Sequence, residues 1–460
     1  MHNLKVDFSE VTGKVKPMHA VNNGPSCEVG DHYLGWGKKN PNVRNGNLAE
    51  YTAAGIPYAR THDSSFYAKY GLEHTVDVAN IFPDFDADPY SPDSYDFACT
   101  DHYMDMIEAA GTKIYYRLGH RIEHQIKKYG TLPPKDFKKW AVICEHIIRH
   151  YNEGWANGSH RNIEYWEVWN EPDLDPDDAQ NKRTWGGTKL QFFEFFNIAA
   201  GHLKECFPNL KIGGPAIACG LGWAEEFLAQ LKVPIDFFSW HVYSDTIDKA
   251  VTRGENIRKL LDKYGFTKTE SILSEYNYVR GWQGVDIDYS HVMRKAEKGA
   301  AFNLANMCAF QAKPVDMIMY YDARPTLAWN GIFNFVQIGK RTTTAYFAFV
   351  AFNELYKLGT AVEAISESDD IYLCAAKRDG EAAITVTRFN DDDATAPEDM
   401  TLDIRGFESE DGVEAEIYLL DNEHELELVE RMTFFGNRFV WKPNMPNYKS
   451  YLIKLRKIKI

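Results

Sequence analysis

Residues 164–174, EYWEVWNEPDL, deliver a carboxylate to the end of an apolar run. Tyr165, Trp166, Val168 and Trp169 read as a buried strand, and Asn170, Glu171 and Pro172 follow at once. A second glutamate, Glu275, stands near the end of another such run, SILSEYN at 271–277. Two facing carboxylates, one protonated to expel an alcohol and one ionised to attack an acetal carbon or activate water, are the equipment of glycoside hydrolysis. By itself an Asn-Glu-Pro step can simply open a helix, with Asp173 and Asp175 helping to cap it. The fold must therefore bring the two glutamates together.

The elements that would do so are legible. From 17 to 355 short apolar runs alternate with longer amphipathic ones, the pattern of βα units around a parallel sheet. Eight strand candidates appear: KPMHAV, PYARTH, KIYYRL, IEYWEVW, LKIGGP, IDFFSWHVY, SILSEYN and DMIMYYD. Trp140, Ile143, Cys144, Ile147, Ile148 and Tyr151 line one helix face, and further helices are expected at 95–110, 189–206, 223–231, 249–264, 291–312 and 343–357. Eight strands each followed by a helix predict a (β/α)8 TIM barrel over 17–357. After 358 the pattern turns to β-strands, with a type I′ hairpin expected at Asp379-Gly380 and further strands in MTLDI, EAEIYLL, RFVWK and YLIKL. This predicts a small all-β sandwich over 358–460, joined by a strand from 1–16.

A TIM barrel gathers its chemistry at the C-terminal ends of its strands. The polar residues there are Arg60 and His62 on the second strand, Arg117 and His120 on the third, and Asn170 and Glu171 on the fourth. His241 and Tyr243 end the sixth, Glu275 and Asn277 the seventh, Tyr321 and Asp322 the eighth. Strands four and seven are three steps apart, so their glutamates can face each other across a small pocket.

WEVWNEPDL resembles the acid/base strand of the retaining glycoside hydrolases built on (β/α)8 barrels, and ILSEYN resembles their nucleophile strand. Within that clan RTH, KIGGPA and SWHVY are most similar to glycoside hydrolase family 39, which contains β-xylosidases and α-L-iduronidases and carries a β-sandwich beside the barrel. The resemblance implies that Glu171 is the general acid/base and Glu275 the nucleophile, about 5–5.5 Å apart, with retention of configuration. It implies that Asn170 holds the hydroxyl next to the anomeric carbon, that Tyr243 and Arg60 hydrogen-bond Glu275, and that His241 and His62 line the same subsite. With those roles, burial beside Trp169 and repulsion from Glu275 should raise the Glu171 pKa, while Arg60 and Tyr243 should lower that of Glu275. The eighth strand departs from the family: where its xylosidases carry a tryptophan under the sugar, this chain has MYYDARP, with Trp329 following, so Tyr321 or Trp329 supplies the platform. The expected function is a retaining exo-glycosidase, β-D-xylosidase first. The alternatives are an enzyme for arabinose-, galactose- or uronic-acid-containing oligosaccharides, or a sugar-binding barrel without catalysis.

Bulk properties fit. The 460 residues carry a formal net charge of −15, which opposes binding to a phosphate backbone. The basic, alternating LIKLRKIKI at 452–460 reads as a solvated strand face. Aromatics make up 14% of the chain, more than a core alone usually needs, so some are expected to face the ligand. Seven cysteines without metal spacing, no apolar leader and no long apolar run predict a cytoplasmic chain with no membrane or nucleic-acid partner and no cofactor. The partner is an oligosaccharide or glycoside, and homo-oligomerisation is open. His120 and His124, four residues apart, are read as substrate contacts or loop rather than zinc ligands, and His146 and His150 as surface histidines. The run QFFEFF at 191–196 reads as helix core, whereas Tyr90, Trp185, Trp282 and Trp329 sit in long loops that could shape specificity.

Overall fold

The computed structural model describes residues 2–26, 46–63, 75–218, 220–325, 328–334 and 340–458. Strand β1 (His2–Lys14) precedes a closed parallel barrel of β2 (Ala20–Asn22), β3 (Tyr58–Arg60), β4 (Lys113–Leu118), β5 (Tyr165–Val168), β6 (Lys211–Ile217), β7 (Phe237–Ser244), β8 (Glu270–Tyr278) and β9 (Met317–Tyr320). The TIM barrel read from the sequence is present, and each of the eight candidate runs contains part or all of one strand. Its lower interior is filled by Ala20, Tyr58, Tyr115, Tyr165, Phe237, Ile272, Met317 and Met319, so it is a packed core rather than a channel. Strand register already aligns chemistry: Arg117 pairs with Glu167, and His241 with Glu275.

Around the barrel lie α1 (Leu48–Ala53), α2 (Val78–Ile81), α3 (Ala98–Ala109), α4 (Phe137–Glu153), α5 (Lys189–Cys206), α6 (Leu221–Gln230), α7 (Ile247–Lys263), α8 (Gly284–Met293), α9 (Glu297–Gln311) and α10 (Tyr346–Leu358). Local sequence explains the bounds of the two central ones. Asp136 caps α4 by accepting from the Lys138 and Lys139 amides, and Gly154, at φ 76°, ends it. Thr188 and Gln191 form a capping box at the start of α5, whose Phe192, Phe193, Phe195 and Phe196 are all buried as the QFFEFF reading expects. The segment 291–312, expected as one helix, is split between α8 and α9. Gly299 permits the break, because a Cβ there would lie 2.3 Å from the Arg294 carbonyl oxygen.

His146 and His150 correct the surface reading: both are buried. His150 Nε2 lies 2.9 Å from Asp101 Oδ1, its ring stacks 3.5 Å from that of Phe97, and Trp155 covers His146. The helix stripe looked too narrow to include them because the chain at 95–97 and 155–157 packs over its edge.

The remaining strands are β10 (Thr360–Ser366), β11 (Ile371–Arg378), β12 (Glu381–Arg388), β13 (Glu398–Arg405), β14 (Val413–Leu420), β15 (Glu425–Phe434), β16 (Arg438–Trp441), β17 (Asn444–Met445) and β18 (Ser450–Lys457). They join β1 in one sheet of order β15-β14-β18-β12-β11-β10-β1-β13-β16, with β17 on β13. Residues from both halves of that order, such as Ile417 and Ile404, share one apolar cluster, so the sheet folds over on itself. The turn at Asp379-Gly380 is not type I′, since only Gly380 has a positive φ. Nor is the basic terminal strand solvated. β18 is central, Leu452, Ile453 and Leu455 are buried, and Lys454 reaches Glu354 on α10 at 2.7 Å. Helices α9 and α10 lie between barrel and sheet, where buried Lys298 meets Asp391 and Asp393 at 2.8 and 3.0 Å. Among the described residues, no helix is long and apolar enough to cross a membrane.

Candidate active site

The chain leaves β5 through a strained turn. Trp169 and Glu171 both adopt left-handed φ values, 75° and 49°, which cost side-chain-bearing residues of the order of 1 kcal/mol or more. Hydrogen bonds over-determine the turn: the Trp169 amide donates to Leu118 O at 2.7 Å, and the Glu171 amide to Ala216 O at 2.9 Å. The Trp169 indole donates to Thr184 O and packs among Trp140, Trp185 and Phe195. Gly119 makes room, since a Cβ there would press on the Trp169 backbone at 3.2 Å. The aromatic strand thus fixes the direction of Glu171.

Glu275 is held by other means. Arg60 Nη1 donates to its Oε1 at 2.8 Å and the Tyr243 hydroxyl to its Oε2 at 2.6 Å. The fully buried Arg60 also donates to Glu167 Oε2 at 2.6 Å, Asn22 Oδ1 at 2.9 Å and Asn170 Oδ1 at 2.7 Å. One guanidinium therefore serves two carboxylates and two amides. Asn170 Nδ2 remains a buried donor with no hydrogen-bond partner among the described residues. His241 Nδ1 sits between the glutamates, 2.7 Å from Glu171 Oε1 and 3.5 Å from Glu275 Oε2, and a ligating atom from each of the three lies within 4.8 Å of the others.

Burial decides the electrostatics. It pushes Glu171 up to about 8, with Asp173 adding to the rise and Arg60 and Arg183 opposing it. For Glu275 burial also raises the pKa, against the pull of His241, Arg60 and Tyr243. The sequence expectation of a lowered Glu275 is thus corrected: its partners offset the desolvation of a fully enclosed carboxylate without overcoming it. Burial lowers His241 to about 4 and His62 to about 3, so both rings are neutral near pH 7.

A pocket of about 540 Å³ opens over this pair. Glu171, Glu275, His62, Tyr243, Tyr321 and Trp329 line it, whereas Arg60, Asn170 and His241 lie behind that lining. Trp329 stacks on the Arg294 guanidinium at 4.7 Å and stands 5.6 Å from the Tyr243 ring, so both aromatic candidates for the platform reach the pocket. His120 does not line it. Its ring turns against Trp169, and a Cβ at Gly130 would touch its Nδ1, while Arg121, Ile122 and His124 of the same segment reach the pocket instead.

Several site residues escaped the sequence reading. Glu167 faces the barrel interior, accepting from Arg60 and, at 3.0 Å, from Tyr115. Period two along YWEVW, which puts Glu167 on the face of Tyr165 and away from Trp166, could have found it. Asp63 Oδ2 takes His62 Nδ1 at 3.0 Å, the Tyr321 hydroxyl at 3.2 Å and Arg324 Nη2 at 3.3 Å, a junction of two strand ends that no local pattern announces. Arg183 also lines the pocket, beside Trp282, one of the loop aromatics the sequence offered for specificity. The Glu171, His241 and Glu275 atoms are spaced closely enough to hold a divalent ion, but Arg60 already gives Glu275 the positive charge that such an ion would supply.

Residues 73–272 match the model of the glycosyl hydrolases family 39. A β-xylosidase of Caldicellulosiruptor saccharolyticus is 29% identical over 181 residues, 37% of this chain and 35% of the relative. One of Geobacillus stearothermophilus is 33% identical over 124 residues, 25% of this chain and 23% of the relative. The matched stretches therefore span about a third or less of those relatives' length. In structure the chain resembles a glucosidase of Croceicoccus marinus, with a TM-score of 0.79 and 21% identity over 100% of this chain and 99% of that one. It also resembles a monomeric β-xylosidase of Caulobacter crescentus, at 0.69 and 17% over the whole of both chains. These structural likenesses concern the fold. The family match covers 200 of the 460 residues, includes the strand that leads to Glu171 and stops before Glu275.

Proposed function

We propose that the protein is a retaining exo-glycosidase that releases terminal β-linked xylose from short oligosaccharides. The observation that carries this reading is the approach of the two carboxylates to within 4.8 Å, with His241 between them. One oxygen of each group this near the other favours the retaining arrangement, with carboxyls about 5–5.5 Å apart, over the inverting one at about 6.5–9.5 Å. The curated relatives named as β-xylosidases support the sugar, and a pocket of this volume suits a short glycoside rather than a polymer.

In the first step Glu275 Oε attacks the anomeric carbon while Glu171, protonated below its pKa of about 8, gives its proton to the departing oxygen. With its proton on Nδ1, His241 donates to Glu171 Oε1 and leaves the other oxygen to carry the transferred proton. Arg60 and Tyr243 keep both Glu275 oxygens oriented. Asn170 Nδ2, without a partner among the described residues, can donate to the hydroxyl beside the reacting carbon. In the second step Glu171, now ionised, takes a proton from water, which attacks the glycosyl-enzyme ester and frees Glu275. Proton NMR of the hydrolysis of an aryl β-xyloside tests this: β-configured xylose must appear first, and α-xylose at early times would overturn the reading.

A further inference from the structure

Away from the pocket, α4 and α5 bring together three side chains of the types that bind borderline metal ions. His202 and Cys206 are four residues apart on α5 and so share a helix face, and Glu145 meets them from α4. His202 Nε2 is 2.7 Å from Glu145 Oε2 and 3.7 Å from Cys206 Sγ, and one ligating atom from each of the three lies within 4.8 Å of the others. None of the three touches the proposed hydrolytic machinery.

We propose that Glu145, His202 and Cys206 form a binding site for a zinc-like divalent ion, with a fourth position open to solvent. Ligand distances of about 2.3 Å to sulfur and 2.0–2.2 Å to nitrogen and oxygen imply, at tetrahedral angles, about 3.6 Å between S and N and about 3.4 Å between N and O. The S–N separation already fits. The N–O pair, now hydrogen-bonded, must open by about 0.7 Å, a shift within reach of a half-exposed histidine. A mixed thiolate, imidazole and carboxylate set favours zinc-like ions over calcium or magnesium, which take oxygen ligands.

The surroundings fit the same use. Arg149 Nε donates to the other Glu145 oxygen, Oε1, at 2.8 Å, so it can hold the carboxylate while Oε2 ligates. Cys206 also lines a surface groove of about 500 Å³ with Asn152, Glu153 and Pro208, which gives the ion a way in. Cys206 is the last residue of α5, a helix that starts after the strand ends carrying the pocket, so a bound ion would tie two helices together at the opposite end of the barrel.

Cobalt(II), whose spectrum reports its ligands, is the probe. Titrated into the full chain, it should saturate near one equivalent with the visible bands of a tetrahedral ion and a near-ultraviolet thiolate-to-cobalt band, and zinc should bleach both. Cys206→Ser should abolish the thiolate band, and His202→Gln should weaken cobalt binding by about tenfold or more. Hydrolysis of an aryl xyloside by both variants should match that of the parent and shows that they fold. Absence of the thiolate band from the parent, or its survival in Cys206→Ser, would overturn the site.

Discussion

The two ends of the barrel carry charged clusters on the same strands and treat them in opposite ways. At the entry end, Glu270 begins β8 and Tyr165 begins β5. Lys211 reaches Glu270 at 2.6 Å, Glu164 at 3.0 Å and the Tyr165 hydroxyl at 2.8 Å, and the Lys211, Glu270 and Glu164 side chains are 27–46% exposed. At the exit end, Glu275 of β8 and Glu171 beyond β5 are about 5% exposed, and one arginine faces Glu275, Glu167 and Asn170 together. Lysine and water satisfy the first cluster. In the second, burial removes the water, so Glu171 holds its proton to about pH 8 while Glu275 has direct donors.

Substitution at each end should separate them most sharply in turnover. Glu275→Ala is expected to lose about ten-thousandfold or more on every substrate, as no glycosyl-enzyme can form. Glu270→Ala, one strand length away, should stay within about twofold of the parent. Glu171→Ala should lose about 10²–10⁴-fold on substrates with poor leaving groups. It should keep much of its first step on activated aryl xylosides, with azide speeding the second. Comparable losses for Glu270→Ala and Glu275→Ala, measured as kcat/KM, would erase the distinction.

Stability should divide the ends next. Arg60→Met strands Glu167 and Glu275 as buried charges without their cation and should cost about 3–5 kcal/mol in urea unfolding. Lys211→Met removes a half-exposed ion pair and should cost about 1 kcal/mol. Equal costs would mean that burial does not distinguish the clusters.

A pH series refines the comparison. Glu171 has its folded pKa raised, so the folded state holds a proton that the unfolded chain releases near 4.5. Its contribution to stability is fully present below about 4.5 and is lost as pH rises through about 8. Glu171→Gln should therefore stabilise the protein relative to the parent more at pH 9 than at pH 5. The same variant, assayed on an activated aryl xyloside with a rate-limiting first step, should lose the basic limb of its pH–rate profile. A basic limb that survives would point to an acid other than Glu171.

The smallest effect is expected at the rim. Trp282, 60% exposed yet lining the pocket 5.5 Å from the Tyr243 ring, should raise KM by a few-fold on mutation to alanine, with kcat little changed. A large fall in kcat would place it closer to the reacting atoms.

Much of this was legible in the chain because it is local. Apolar runs ending in Asn170-Glu171 and in Glu275 need only a strand and its end, and eight such runs predict the barrel that sets them face to face. What stayed hidden depends on closure. Asp63 and Arg324 lie more than 250 positions apart and meet only when β3 and β9 lie in one barrel. His146 and His150 read as exposed because the segments that cover them are separate in sequence. The sign of the Glu275 shift failed for the same reason: its donors can be named from the strand ends, but the depth of its burial belongs to the assembled pocket.

The central claim is that Glu275 becomes covalently attached to the sugar. A 2-deoxy-2-fluoro-xyloside with a good leaving group slows both steps and, where the first remains faster, traps the intermediate for peptide mass spectrometry. A single added fluoroxylosyl group on the peptide containing Glu275, absent from Glu275→Gln, is the predicted result. Loss of activity without a mass increase, or label on Glu171 or Glu167, would contradict it.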